Sequence, residues 1–269
     1  MAELLGSGIF QRALLAGVFL ALSCGLLGVF LVLRKEAMIG HGLSHVAFSG
    51  LALGFILNIL PMAVSLAVCL LGALLIIEIK EKGKLYGDAA LAIISSAGLA
   101  LGIFLVSLKR GFGLELMSFL FGDILAVSPA ETWFAVFLAA VVVIALGLNY
   151  YRLIFMTFDR EAAIVSGVNV KKLDRLMVLL TAMTIVLGLK LVGILLISAL
   201  LIIPASAALQ LSENFRQTLK LSTLMSFISV ISGIYLSYLL DSPAAAMIVF
   251  VSLLLFLVVL IIKRNRFSH

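Results

Sequence analysis

His41 and His45, two of the three histidines in this 269-residue chain, stand four residues apart in the stretch Gly40-His41-Gly42-Leu43-Ser44-His45-Val46-Ala47-Phe48-Ser49-Gly50. No Asp, Glu, Lys or Arg occurs from Ala37 to Ile77. On a helix that spacing stacks both imidazoles one turn apart on one face, with Ser44 beside them. Two neutral imidazoles so placed can grip a divalent transition metal ion. Polar groups in apolar surroundings are costly unless partnered, which marks the pair as a pathway or a ligand site. The same residues also fit two histidines at the mouth of a membrane helix, bonded to backbone or headgroups. Two ligands do not complete a metal cage.

The elements that must hold the pair are membrane helices. The chain is 64% hydrophobic and 12% charged, whereas soluble domains are about a quarter charged. No stretch between apolar runs has room for a sizeable soluble domain. The N-terminus lacks the basic region and small-residue cleavage site of a removable signal peptide, so the first apolar run is expected to stay as a span. The net charge of +6 reports which side each loop faces, and no nucleic-acid partner is expected. Cys24 and Cys69 fall within apolar runs without CxxC spacing and read as small buried hydrophobes.

About 20 apolar residues cross a bilayer. On that measure spans are expected at residues 13–33, 39–57, 62–77, 89–108, 132–150, 176–189, 191–211, 221–240 and 242–262, about nine in all. A short or re-entrant helix is expected at 114–127, carrying Glu115, Gly122 and Asp123. The fold class is therefore all-α, a polytopic helical bundle forming a single transmembrane domain over 1–269. Gly50 with Gly54, and Gly98 with Gly102, make small-xxx-small faces that let helices approach closely. If the short element re-enters from outside, only Arg12, Lys109, Arg110 and Lys190 face outward, and the other basic residues lie inside. If it crosses, the bias has the same sign and is weaker. Both place the C-terminus in the cytoplasm, and the first places the N-terminus outside.

The most polar section is 152–175. Within it, Thr157 to Val170 reads as a short surface helix, started by Asp159 and ended by Gly167. Phe158, Ala162 and Val165 share one side of it, an apolar face suited to a partner's groove or to lipid headgroups. The chain has no GxxxxGK[ST], HExxH or GxSxG motif. Its acidic residues sit near span ends rather than at mid-membrane, where a proton- or sodium-coupled carrier needs them. Energy for any transport is expected from another subunit.

Several motifs, in order, resemble the permease subunit of the ABC-type zinc/manganese importer family. They are Met38–His45, Gly50–Gly54, Tyr86-Gly87-Asp88, Leu120–Leu125, Phe158–Val170, Val192–Ala205 and Asp241-Ser242-Pro243. The resemblance covers nearly the whole chain. It implies a BtuC-like permease working as a homodimer in the bacterial plasma (inner) membrane. It also implies an extracytoplasmic metal-binding protein on one side and a cytoplasmic ABC ATPase on the other. The family's coupling helix maps onto Asp159, Arg160, Glu161, Ala162 and Gly167. The family's metal-handling pair on the second helix is an Asp and a His four residues apart. The His maps onto His45, with Ser44 as a supporting neighbour, while His41 replaces the Asp. Carboxylate oxygen suits Mn²⁺ and imidazole nitrogen suits Zn²⁺, so zinc is the favoured cargo and no permanently bound cofactor is expected. Pro204, which the family shares, must disturb its helix and is a candidate gating kink. A manganese or iron permease of the same family, a cobalamin or siderophore permease, and a non-transporting membrane sensor or scaffold are the alternatives.

Overall fold

The computed structural model describes residues 8–82, 87–108, 119–122, 127–194 and 196–266. Among them every regular element is a helix. In chain order these are α1 (Gly8–Leu33), α2 (Met38–Leu57), α3 (Pro61–Lys82), α4 (Gly87–Leu108), α5 (Pro129–Leu148) and α6 (Tyr150–Phe158). They continue as α7 (Arg160–Val165), α8 (Val170–Leu191), α9 (Ile197–Leu211), α10 (Phe215–Leu239) and α11 (Ala244–Arg266). In lipid the backbone has no water to bond to, and a helix satisfies it internally, which is why apolar runs take this form. Two compact units result. One comprises Met38–Met117 and Ile144–Val186; the other comprises Met1–Ala37, Ser118–Val143 and Leu187–His269.

In the first unit α2 is gripped between α3 and α4 through its small residues. A Cβ added at Gly50 would lie 2.6 Å from the Ser65 Cα, and one at Gly54 would lie 2.7 Å from the Pro61 Cα. From the other side, a Cβ added at Gly98 of α4 would lie 2.9 Å from the Val46 backbone, and one at Gly102 would overlap the Phe48 ring. The two expected small-residue faces thus sit on either side of one packed layer: that of α2 meets α3, and that of α4 meets α2. The Ser65 hydroxyl donates to the Ala47 carbonyl at 2.8 Å, bonding α3 to α2 inside the packed layer. Cys69 is fully buried here, and Cys24 in the other unit, both as free thiols.

In the second unit α9 and α10 pack on α1. Gly28 of α1 meets the Leu201 carbonyl, and the Ser222 hydroxyl donates to the Gly25 carbonyl at 2.7 Å. Phe30 and Phe215 close one end of this layer, edge to face with ring centres 5.3 Å apart.

Seven helices among the described residues, α1 to α5, α10 and α11, are long and apolar enough to cross a membrane. The nine-span expectation differs from this at the two runs after the polar section. α8 starts at Val170, so Lys171, Lys172, Asp174 and Arg175 occupy its first turns. The run 191–211 is interrupted: α8 ends at Leu191, Gly193 takes φ +82°, and α9 has 15 residues. The break has a packing cause. Gly122, at φ +76°, and Gly193 lie backbone to backbone, and the Ile194 N–H donates to the Phe119 carbonyl at 3.1 Å. Apolarity continues through this stretch while the helix does not. The short element expected at 114–127 lies outside the described residues except for 119–122 and Val127, and Tyr86 and Asp123 also lie outside them.

Candidate functional site

The histidines occupy the first two turns of α2. His41 is exposed and His45 is half-buried. Their rings meet edge to face with centres 4.8 Å apart and planes at 83°. Two imidazoles sharing one tetrahedral ion through nitrogen bonds of about 2.0–2.1 Å have ring centres roughly 5 Å apart. The observed separation is compatible with shared coordination and equally with an ordinary edge-to-face ring contact, whose centres lie about 4.5–7 Å apart. Ser44 is buried, and its hydroxyl donates back to the His41 carbonyl at 2.7 Å. Its one hydrogen is thus spent on its own helix, and its oxygen can act toward the histidines only as an acceptor.

A cleft of about 460 Å³ opens beside His41, lined by Met38, Gly42, Leu91, Ala92, Ser95 and Ser96. Ser95 and Ser96 come from α4, brought over the start of α2 by the close approach at Gly98. Sequence reasoning overlooked them. The available signal was a pair of adjacent hydroxyls inside an otherwise apolar run. Among the described residues no group of three or more His, Cys, Asp or Glu side chains is placed to hold a metal ion. Two imidazoles are available as ligands, and of the pair only His41 lines the cleft with the Ser95 and Ser96 hydroxyls. Such a set suits passing contact with an ion, whereas a closed four-ligand cage would retain it.

The second expected feature lies in the 152–175 segment. Asp159 sits before α7 with extended backbone, and its carboxylate accepts from the Ala162 N–H at 2.8 Å. At the other end the Gly167 N–H bonds the Ile164 carbonyl and the Val168 N–H bonds the Ala163 carbonyl, both at 3.0 Å, with Gly167 at φ +82°. These paired bonds close the helix in a Schellman motif, which requires a left-handed residue at that point. Asp159 and Gly167 thus bound the helix as their types dictate. Arg160 turns away and forks onto Asp174 of α8 with bonds of 3.1 and 2.6 Å. Ala163 is buried beneath the helix, while Phe158 and Val165 stand 65% and 88% exposed and Ala162 is half-buried. Ile164, 56% exposed, widens the outward apolar face. Glu161 is exposed.

Asp159→Ala is expected to cost the helix about 1 kcal/mol through loss of its cap. Hydrogen exchange at the Ala162 amide reads this directly: protection falls in Asp159→Ala and is kept in Asp159→Asn.

Pro204 is buried in the middle of α9. It has no N–H for the Leu200 carbonyl, so one rung of a helix only 15 residues long is missing.

A multi-span helical protein with a histidine pair on its second helix and a capped helix in its longest polar stretch has the layout of an importer's membrane subunit. The profile described as "ABC 3 transport family" matches residues 7–263, and the chain belongs to that family. The resemblance to permease subunits read from the motifs is thereby borne out. The chain is 36% identical to the "High-affinity zinc uptake system membrane protein ZnuB" of Haemophilus influenzae, over 96% of this chain and 98% of that protein. It is 32% identical to the "Manganese transport system membrane protein MntC" of Halalkalibacterium halodurans, over 94% of this chain and 87% of that one. Among solved structures, "PsaBC from Streptococcus pneumoniae in complex with Fab" superposes with a TM-score of 0.86 at 28% identity, covering 96% of this chain and 94% of that one. An inward-facing metal-chelate type ABC transporter described as putative shares the fold at a TM-score of 0.75 and 15% identity.

Proposed function

We propose that this chain is the transmembrane pore subunit of an ATP-driven divalent metal importer, with zinc as its cargo. The reading is carried by the end-to-end likeness to a zinc uptake membrane protein, 36% identical over 96% of the chain. The His41–His45 pair supports zinc over manganese, because it presents imidazole nitrogen without a carboxylate. In this reading the whole chain acts as one permease domain, paired with a second copy in the bacterial plasma membrane, with the N-terminus outside and the C-terminus inside. An extracytoplasmic binding protein delivers the ion, which passes His45 and His41 with Ser44 in support. A separate ATPase docks on the exposed face of α7, where Asp159, Arg160, Glu161, Ala162 and Gly167 hold the coupling geometry, and Pro204 loosens α9 for gating.

Manganese is the second reading, favoured by the 32% identity to a manganese transport membrane protein. The test is uptake of radiolabelled zinc and manganese by cells stripped of their own importers, carrying this chain with its ATPase and binding protein. Zinc accumulation that stops with a hydrolysis-dead ATPase is the expected result. Manganese uptake without zinc uptake overturns the cargo, and uptake of neither overturns transport. The coupling assignment is tested separately: ATP hydrolysis by the assembled complex that is indifferent to changes in the α7 segment would refute it.

A further inference from the structure

A cleft of about 820 Å³ lies between the start of α6, the turn from α7 to α8, and α8 itself. It is lined by the cations Arg152, Lys172 and Arg175 and the leucines Leu173, Leu176 and Leu179, with Asn149 and the Ser166–Asn169 turn completing it. Among the described residues no Asp or Glu lines it. The one carboxylate of α8, Asp174, is already taken by both guanidinium nitrogens of Arg160. Arg175 also borders a neighbouring hollow that contains Glu78. Arg152 and Lys172 line the cleft and are both exposed.

We propose that this cleft binds an anionic phospholipid, with its phosphate between Arg152 and Lys172 and an acyl chain along Leu176 and Leu179. The order of residues along α8 supports an amphiphile. Lys172, Leu176 and Leu179 fall at i, i+4 and i+7 on one face, so that face changes from cationic to apolar over about 10 Å along α8. A free phosphate makes no use of the leucine wall. An acidic protein segment would set polar backbone against it at a desolvation cost. The adjoining Tyr150 and Tyr151, whose rings meet at 5.2 Å, are residues that favour the headgroup level of a bilayer. Basic pockets between membrane helices are a recurrent way of holding anionic headgroups.

The inference requires only that the chain spans a membrane, so it stands or falls separately from the zinc reading. The experiment uses the full chain purified in detergent, titrated with phosphatidylglycerol bearing a fluorescent acyl chain and with phosphatidylcholine bearing the same label. A cation beside an anionic headgroup is worth about fivefold in affinity. The pair Arg152→Ala with Lys172→Ala is therefore expected to lose roughly 10–30-fold for phosphatidylglycerol and nothing for phosphatidylcholine. The charge-keeping pair Arg152→Lys with Lys172→Arg retains binding, as does Arg216→Ala with Lys220→Ala, which removes two cations from α10. Excess inorganic phosphate does not compete. Should the alanine pair fail to purify, Arg152→Gln with Lys172→Gln reads the same loss. Equal binding of the two lipids, equal loss in the α10 control, or competition by inorganic phosphate overturns the proposal. So does an alanine pair that keeps the lipid but no longer binds the ATPase, which would assign the cleft to an acidic segment of that partner.

Discussion

His45→Ala is expected to abolish most zinc uptake in importer-deficient cells at unchanged abundance of the chain. Losing only the hydrogen-bond partner of a metal ligand costs ~10–100-fold in affinity or activity, and losing the ligand itself costs at least as much. The ring separation of 4.8 Å makes His41 and His45 one unit, so their effects should be far from additive. His41→Asp tests the chemistry rather than the presence of the pair. A carboxylate beside His45 replaces one nitrogen ligand by hard oxygen and adds a negative charge to a helix that has none. Zinc-over-manganese preference should fall, with manganese uptake rising. Parallel uptake curves for both metals in all three proteins give the result. Normal zinc uptake by His45→Ala would reduce the pair to packing at a helix mouth. A loss in His45→Ala with no change of preference in His41→Asp would keep the pathway and remove the selectivity argument.

The second large effect is structural. Gly193→Ala is expected to prevent stable assembly of the break between α8 and α9. A Cβ there would stand 2.5 Å from the Leu120 carbonyl oxygen and 2.6 Å from both the Gly122 nitrogen and the Phe121 carbonyl carbon. All three are backbone atoms and cannot swing aside as a side chain would. Strain at φ +82° adds to the overlap. Together they should cost about 2–6 kcal/mol, comparable with the stability of a whole domain. Gly147→Ala is the matched control, since a Cβ there meets nothing within 4 Å. Gly147 lies in the last turn of α5, where the change should be neutral or stabilising by less than ~1 kcal/mol. Thermal melting in detergent and the yield of monodisperse protein separate the two. A Gly193→Ala protein that melts with the wild type would mean that this backbone contact is not part of the folded state.

Much of the architecture was legible in the residues themselves. Runs of about 20 apolar side chains locate helices because an unbonded backbone is not tolerated in lipid, and this depends on composition over a short window. The ends of α7 were equally local. A carboxylate reaches an amide three residues on, and a glycine supplies the left-handed turn, so Asp159 and Gly167 bound that helix without help from distant contacts. The alternation of glycines in α2 and α4 announced close approach, and the four-residue spacing of His41 and His45 put them on one face.

Partners distant in sequence were decided only by the folded chain. Nothing in the order of residues says that Ser95 and Ser96 stand beside His41, or that the Gly50 face meets α3 while Val46 meets Gly98. The expected span at 191–211 shows the same limit. Hydropathy reports whether a segment tolerates an apolar environment, and this segment does. Its backbone leaves the helix at Gly193, whose φ of +82° accompanies close backbone contact with Gly122. Local hydrogen bonding and hydropathy act within a turn or two of chain, whereas that departure goes with contact between backbones some seventy residues apart, which becomes a force only once the helices have packed.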